Sequence, residues 1–311
     1  MKFAFVFPGQ GSQSAGMMQP FADSKAVREV FREASDALGQ DLWKLAAEGP
    51  AEELNFTVNT QPLMLTAGYA VYRAWRDAGG TEPAVMAGHS LGEYTALVAA
   101  GALRFRDALP LVRFRARAMQ EAMPMGEGAM AAILGLEDDA VRAACGEAAQ
   151  GQMVEPVNFN APSQVVIAGH RAAVERGVAA AKAKGAKRAV MLPVSAPFHS
   201  SLLKPAADRL ASYLDSVQMS APRVPVVNNV DVAVEKEPQR IKHALARQAS
   251  NPVRWVEVVR RIAGESISHV AECGPGKVLA GLTRRIDSSL QGYAITDPQS
   301  LEQALQALKS L

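Results

Sequence analysis

The pentapeptide Gly88-His89-Ser90-Leu91-Gly92 has the residue types and spacing for acyl transfer through a serine ester. It reads G-x-S-x-G, follows the apolar run 84–87, and opens a helical stretch over 93–100 that Gly101 closes. A strand-to-helix turn this tight has no room for Cβ atoms beside the serine, so glycines flank it. Such a turn lifts the Ser90 hydroxyl over the end of a sheet, at a helix N-terminus where backbone N–H groups favour negative charge. G-x-S-x-G alone is common. The strand before it and the helix after it make Ser90 a candidate nucleophile rather than a chance Gly-Ser turn.

A serine hydroxyl attacks poorly until a base takes its proton, and five histidines compete for that role. His89 adjoins Ser90 in the turn, so its side chain should point away. His170 ends a predicted strand, His243 sits beside Lys242 on a polar helical face, and His269 lies inside a strand pattern. His199 is on an irregular segment after Pro197-Phe198, and loops carry catalytic groups more often than regular elements do. A surface or capping role for His199 stays open at this point. The aspartates that could complete a triad, Asp107, Asp138 and Asp139, each open a helix and are explained by that position. No acid is assigned, because a backbone carbonyl can fix an imidazole tautomer and leave a dyad.

Arg115 breaks the pattern of its helix. Its neighbours at three and four residues are Leu111, Val112, Ala118 and Met119, whereas Arg113 and Arg117 share a mostly polar face. A charge facing a core costs several kcal/mol unless it is paired. Two readings are open: a salt bridge with a carboxylate elsewhere in the chain, or a substrate anion, for which guanidinium offers two parallel hydrogen bonds.

The elements that must position these residues alternate strand and helix, which predicts an α/β layer with a mostly parallel sheet. The apolar run 3–7 reads as a buried parallel strand ending in the glycine-rich loop Pro8-Gly9-Gln10-Gly11-Ser12-Gln13. That loop lacks the Gly-Lys-Ser/Thr of a phosphate loop, and Ser14 stands where a dinucleotide fingerprint needs its third glycine. Helices are predicted over 27–38, 61–78 and 105–123. After the break at Gly126-Glu127-Gly128 the order becomes strand 129–136, helix 138–149, strand 154–160, strand 164–168, helix 172–184 and strand 188–194. That is βαββαβ, the signature of a ferredoxin-like unit, expected as a small domain (127–196) inserted into the larger one (1–126 and 197–311). The large domain resumes through 195–200 with helix 205–214, strand 224–228, helices 239–249 and 253–262, and strand 267–272. Two more helices, 277–286 and 299–308, close the chain.

The 311 residues, 49% hydrophobic and 21% charged, are those of an ordinary globule. A net charge of +2 with scattered Lys and Arg suggests no nucleic-acid face. Cys145 and Cys273 form no CxxC or Cys/His cluster, so they read as reduced thiols with no metal site. The first seven residues are too short for a signal sequence, and no apolar run reaches membrane-spanning length. A cytoplasmic location is expected.

Phe7-Pro8-Gly9-Gln10-Gly11-Ser12-Gln13, Gly88-His89-Ser90-Leu91-Gly92-Glu93, Arg115, Asn158-Phe159-Asn160, His199, Gln248-Ala249-Ser250-Asn251-Pro252-Val253 and Gly274-Pro275-Gly276-Lys277 together match one family, in order and nearly end to end. The chain resembles the bacterial malonyl-CoA:acyl carrier protein transacylases of type II fatty acid synthesis, a family shared with polyketide synthase acyltransferase domains. The resemblance implies an α/β-hydrolase-like large domain and ping-pong transfer of malonyl from coenzyme A to the phosphopantetheine thiol of acyl carrier protein. It implies Ser90 as nucleophile, His199 as base and then acid, and the backbone carbonyl of Gln248 orienting that imidazole. The amides of Gln10 and Leu91 would form the oxyanion hole, and Arg115 would hold the malonyl carboxylate. Coenzyme A enters as a thioester substrate, with no cofactor, and a monomer is expected. In related domains a Phe at the position of Phe198 accompanies malonyl use and a Ser accompanies methylmalonyl. A serine thioesterase or esterase, a discrete polyketide acyltransferase, and a non-catalytic carrier-protein-binding module are the competing readings. Arg115 argues against the esterase, and the retained Ser90 and His199 argue against the module.

Overall fold

A computed structural model describes residues 2–194 and 196–309. Ser195, on the predicted return segment into the large domain, lies outside the described residues. In chain order the first part of the large unit comprises β1 (Lys2–Phe7), α1 (Lys25–Leu38), α2 (Leu42–Glu48), α3 (Ala51–Asn55), α4 (Thr57–Asp77), β2 (Val85–Gly88), α5 (Leu91–Ala99) and α6 (Phe105–Glu121). The second sheet is built from β3 (Gly128–Leu134), α7 (Asp138–Ala149), β4 (Val154–Ala161), β5 (Gln164–His170), α8 (Arg171–Ala183) and β6 (Arg188–Met191). The chain then runs through α9 (Lys204–Asp215), β7 (Val226–Val227), α10 (Pro238–Gln248), α11 (Trp255–Ala263), β8 (Ile267–Cys273), α12 (Val278–Ile286), β9 (Gln291–Ile295) and α13 (Pro298–Lys309).

The first sheet runs β7-β2-β1-β8-β9 with every pair parallel. Its centre is β1, whose residues alternate between two cores as the pleat requires. Phe3, Phe5 and Phe7 join the cluster that holds Tyr72 and Trp75 of α4, while Ala4 and Val6 join Trp255 and Val258 of α11. Burial on both faces explains why the strand reads as a continuous apolar run. The C-terminal ends of β1 and β2 lead directly into the Gln10 loop and the Ser90 turn, the end of an open α/β sheet where ligands bind.

The second sheet is antiparallel, ordered β4-β5-β3-β6, with α7 and α8 connecting its strands. Ala129, Ala131 and Ile133 pack against those helices. Met130 and Val166, on the opposite face, join the main core and line the central cavity. This sheet therefore roofs the site. An isolated bridge between Asn158 and Val253 ties it to the first unit.

Several elements depart from expectation for identifiable reasons. The helix predicted from 61 begins at Thr57, so Pro62 is accommodated inside it rather than in its first turn. The short α2 and α3 were not anticipated. The strand predicted over 224–228 is only Val226–Val227, because Pro225 offers no N–H and contributes its carbonyl alone, to Met86. The helix predicted from 253 starts at Trp255, since Val253 is taken by its bridge to Asn158. The strand predicted over 188–194 ends at Met191. An edge strand, β9, lies between the last two helices, where the sequence predicts no strand. Its Gly292 reads as a strand breaker, yet a Cβ there would sit 2.5 Å from the Ala280 carbonyl oxygen, so the glycine permits α12 to pack closely. Among the described residues no helix is long and apolar enough to cross a membrane.

Candidate active site

Ser90 occupies the single step between β2 and α5, with φ 52° and ψ −111°. A serine held in this region stores about 1–3 kcal/mol of strain. The flanking glycines are steric necessities: a Cβ on Gly88 would lie 1.9 Å from the Gly92 carbonyl carbon, and one on Gly92 would lie 2.0 Å from the Phe7 carbonyl oxygen. Asn229 brackets the turn. Its side chain accepts from the Ser90 N–H at 2.8 Å and donates to the Gly88 carbonyl at 2.8 Å.

His199 is the histidine that reaches the serine, with Nε2 2.7 Å from Ser90 Oγ. Its Nδ1 lies 2.8 Å from the Gln248 carbonyl oxygen. A carbonyl only accepts, so Nδ1 carries the proton and Nε2 is left with its lone pair toward the hydroxyl. Burial, and then the positive charge of Arg115, push the His199 pKa down to about 3, which keeps the ring neutral at ordinary pH. His89 turns away, as expected, and bonds Asn160 Oδ1 at 2.8 Å. His170 accepts from the Met153 N–H at 3.0 Å, and His269 neighbours Ser268. Asp107 pairs with Arg104 at 2.6 Å, while Asp138 and Asp139 lie in the first turn of α7. None of these aspartates contacts His199, so the arrangement is a Ser-His pair completed by a backbone carbonyl.

Arg115 is 1% exposed, and no carboxylate pairs with it among the described residues. Its Nη1 donates to Gln61 Oε1 at 2.7 Å, and its Nη2 to Gln248 Oε1 at 2.8 Å and to Ser90 Oγ at 3.1 Å. The guanidinium carbon lies 5.3 Å from the Tyr94 ring centroid. Arg113, as its polar face predicts, reaches outward to Gln40 and the Leu38 carbonyl. Neutral amides thus hold Arg115 beside Ser90 with its charge uncompensated by contact among the described residues.

Sequence reasoning missed the supports of this geometry. The resemblance assigns Gln248 a role for its carbonyl, yet its side chain also donates to the Ser90 carbonyl at 3.0 Å and to Glu93 Oε2 at 2.9 Å. Glu93 accepts the Asn229 N–H as well, at 2.8 Å, and burial raises its pKa to about 7. Asn229 and Gln61 carried no signal beyond being polar. Glu93 did, as part of the motif, but its place in the first turn of a helix already accounted for it.

Ser90, His199, Arg115, Gln10 and Leu91 line one cavity of about 520 Å³, walled by Met130, Val166 and Phe198. Leu91 opens α5, so its N–H has no acceptor in the preceding turn. No hydrogen bond from the amide of Gln10 or Leu91 is found among the described residues. Two free N–H donors, a serine, a neutral imidazole and a buried guanidinium in one cavity can form and break an acyl ester. The guanidinium favours an acyl group that carries its own negative charge.

Residues 4–289 match the acyl transferase domain, and the chain belongs to that family. The chain is 57% identical over 306 residues to the malonyl CoA-acyl carrier protein transacylase of Escherichia coli (strain K12), spanning 98% of this chain and 99% of that one. The crystal structure of an acyl-carrier-protein S-malonyltransferase from Burkholderia pseudomallei 1710b is 67% identical. It superposes with a TM-score of 0.97 over 98% of this chain and 100% of that one. A malonyl-transacylase solved in complex with a type II polyketide synthase acyl-carrier protein is 52% identical, with a TM-score of 0.97 over 99% and 100% of the two chains.

Proposed function

We propose that this protein transfers the malonyl group of malonyl-CoA to the phosphopantetheine thiol of acyl carrier protein, through a malonyl ester on Ser90, for fatty acid synthesis. His199 Nε2 takes the Ser90 proton as Oγ attacks the thioester carbonyl. The amides of Gln10 and Leu91 hold the negative oxygen of the tetrahedral intermediate, and a donor of this kind is worth roughly 2.7–4 kcal/mol. Collapse breaks the C–S bond, and the imidazolium returns its proton to the departing coenzyme A thiolate. In the second half the carrier thiol gives its proton to His199 and its sulfur attacks the ester. Ser90 leaves with that proton. Gln248 keeps the imidazole in the required tautomer throughout.

Arg115 selects the acyl group. Malonyl places its carboxylate one methylene from the reacting carbonyl, and the guanidinium stands 3.1 Å from the attacking oxygen. The carboxylate supplies the contact charge that the chain withholds, whereas an acetyl group would leave the cation desolvated and unpaired. A thioesterase has no use for such a cation. The Phe198 ring in the cavity wall favours malonyl over an α-methyl analogue by at most about 1–3 kcal/mol.

The large unit (1–126 and 197–311) is best read as α/β-hydrolase-like, and the inserted unit (127–196) as ferredoxin-like, which its connectivity and strand order support. The cycle requires no cofactor beyond the thioester substrate, and we infer a cytoplasmic monomer with no nucleic-acid or membrane partner.

The fully buried Arg115 beside Ser90, with no carboxylate partner among the described residues, is the observation on which this reading rests. Intact-mass measurement after incubation with malonyl-CoA tests it. One malonyl adduct is expected on the wild type, discharged by holo acyl carrier protein and absent from Ser90→Ala. An adduct persisting in Ser90→Ala would contradict esterification at that serine.

A further inference from the structure

A chain of hydrogen bonds leaves Arg115 on the side away from His199 and ends at the glycine-rich loop. Arg115 Nη1 donates to Gln61 Oε1 at 2.7 Å, Gln61 Nε2 donates to Thr57 Oγ1 at 3.2 Å, and Thr57 Oγ1 donates to Gln10 Oε1 at 2.7 Å. Its direction is set from the arginine end. Guanidinium has donors only, so Gln61 must present its oxygen to it and its amide N–H to Thr57. The Thr57 hydroxyl then accepts from Gln61 and has its one proton free for Gln10. Thr57 and Gln61 are 6% and 3% exposed and lie one turn apart at the start of α4, so the bond between them is buried, while the Thr57–Gln10 bond is part-buried at the cavity edge. Bonds aligned in one sense in a low-dielectric setting strengthen one another.

We propose that Thr57 is a positioning residue for the oxyanion hole, coupling the seating of a carboxylate on Arg115 to the aim of the Gln10 amide. It touches neither substrate nor reacting atoms. It fixes the Gln10 side chain, and through it the backbone N–H of the same residue, while the far end of the relay is clamped by the malonyl carboxylate. The loop's other tether, from Gly11 N–H to Gln13 and from Gln13 to Asn55, is exposed and does not reach Arg115. The inference rests on the reading of Gln10 as an oxyanion donor.

Isotope-edited infrared spectroscopy of the Ser90 ester, formed from malonyl-CoA labelled with ¹³C at the thioester carbonyl, separates the two claims. Oxyanion donors lower the carbonyl stretching frequency. A wild-type band at the frequency of a free ester would overturn the oxyanion reading itself. With the wild-type band lowered, Thr57→Val should move it back toward the free-ester value and slow single-turnover acylation about tenfold. That is less than the 10²–10³-fold loss of a whole donor. The half-saturating malonyl-CoA concentration should change less than twofold, and Thr57→Ser should restore both band and rate. Thr57→Ala makes the same test if the valine variant does not fold. A lowered band and wild-type acylation rate in Thr57→Val or Thr57→Ala would overturn the role of Thr57 alone.

Discussion

The two sides of Ser90 are built on opposite rules. On the His199 side both imidazole nitrogens are matched: Nε2 meets the hydroxyl, Nδ1 meets a carbonyl, and Asn229 closes the turn. On the Arg115 side a full charge is buried among amide oxygens, and the carboxylate in its network, Glu93, is held one glutamine away. The first side is complete without substrate and could serve many acyl groups. The second, on the proposed function, is completed by a substrate that brings an anion. On the proposed function, reaction chemistry and acyl choice sit in separate halves that share one hydroxyl, and Gln248 spans both, through its carbonyl to His199 and its side chain to Arg115.

The sharpest way to break this division is to remove the general half. His199→Ala should lower malonyl transfer by about 10⁶-fold, as loss of the catalytic histidine does in serine acyl-transfer enzymes. Malonyl-CoA affinity, measured by calorimetry on the free variant, should stay within a few-fold, because Arg115 and its amides are untouched. A comparable loss of affinity would mean the halves are not separable.

A smaller effect tests the cost carried by the other half. Glu93 titrates near 7 in the folded chain against 4.5 as its ordinary value. Between those values the folded chain keeps a proton that the unfolded chain has lost. Stability therefore falls as pH rises through this window, by about 3 kcal/mol in full. Glu93→Gln retains an acceptor for Gln248 and Asn229 but cannot ionise. Denaturant unfolding at pH 4.5 and pH 8 should show the variant gaining about that much relative to wild type at the higher pH. Parallel pH dependences would place the charge cost elsewhere.

The residues that break a local rule were legible in the sequence: a serine between obligatory glycines, and an arginine in an apolar helical stripe. The choice of His199 among five histidines, and the role of Gln10, needed the family resemblance. Asn229, Gln61, Thr57 and the Gln248 side chain were not legible, because a buried amide or hydroxyl acts through partners distant in sequence and leaves no periodic mark. Glu93 was masked by a sufficient local explanation. The same holds for the fold. Buried β1 announced itself as an apolar run, and βαββαβ emerged from its alternation. Edge strand β9 was hidden by a glycine that lets α12 pack closely, whereas β7 was legible over 224–228 and is only shortened by a proline.

Arg115, without a carboxylate partner among the described residues, is proposed to make the acyl group malonyl. The direct measurement is kcat/KM for malonyl-CoA and acetyl-CoA in wild type and Arg115→Ala. Removing one partner of a buried ion pair costs about 3–5 kcal/mol. Malonyl transfer in the variant should therefore fall by at least about 10²-fold while acetyl transfer rises, inverting the preference. Unchanged malonyl transfer in Arg115→Ala would contradict the account.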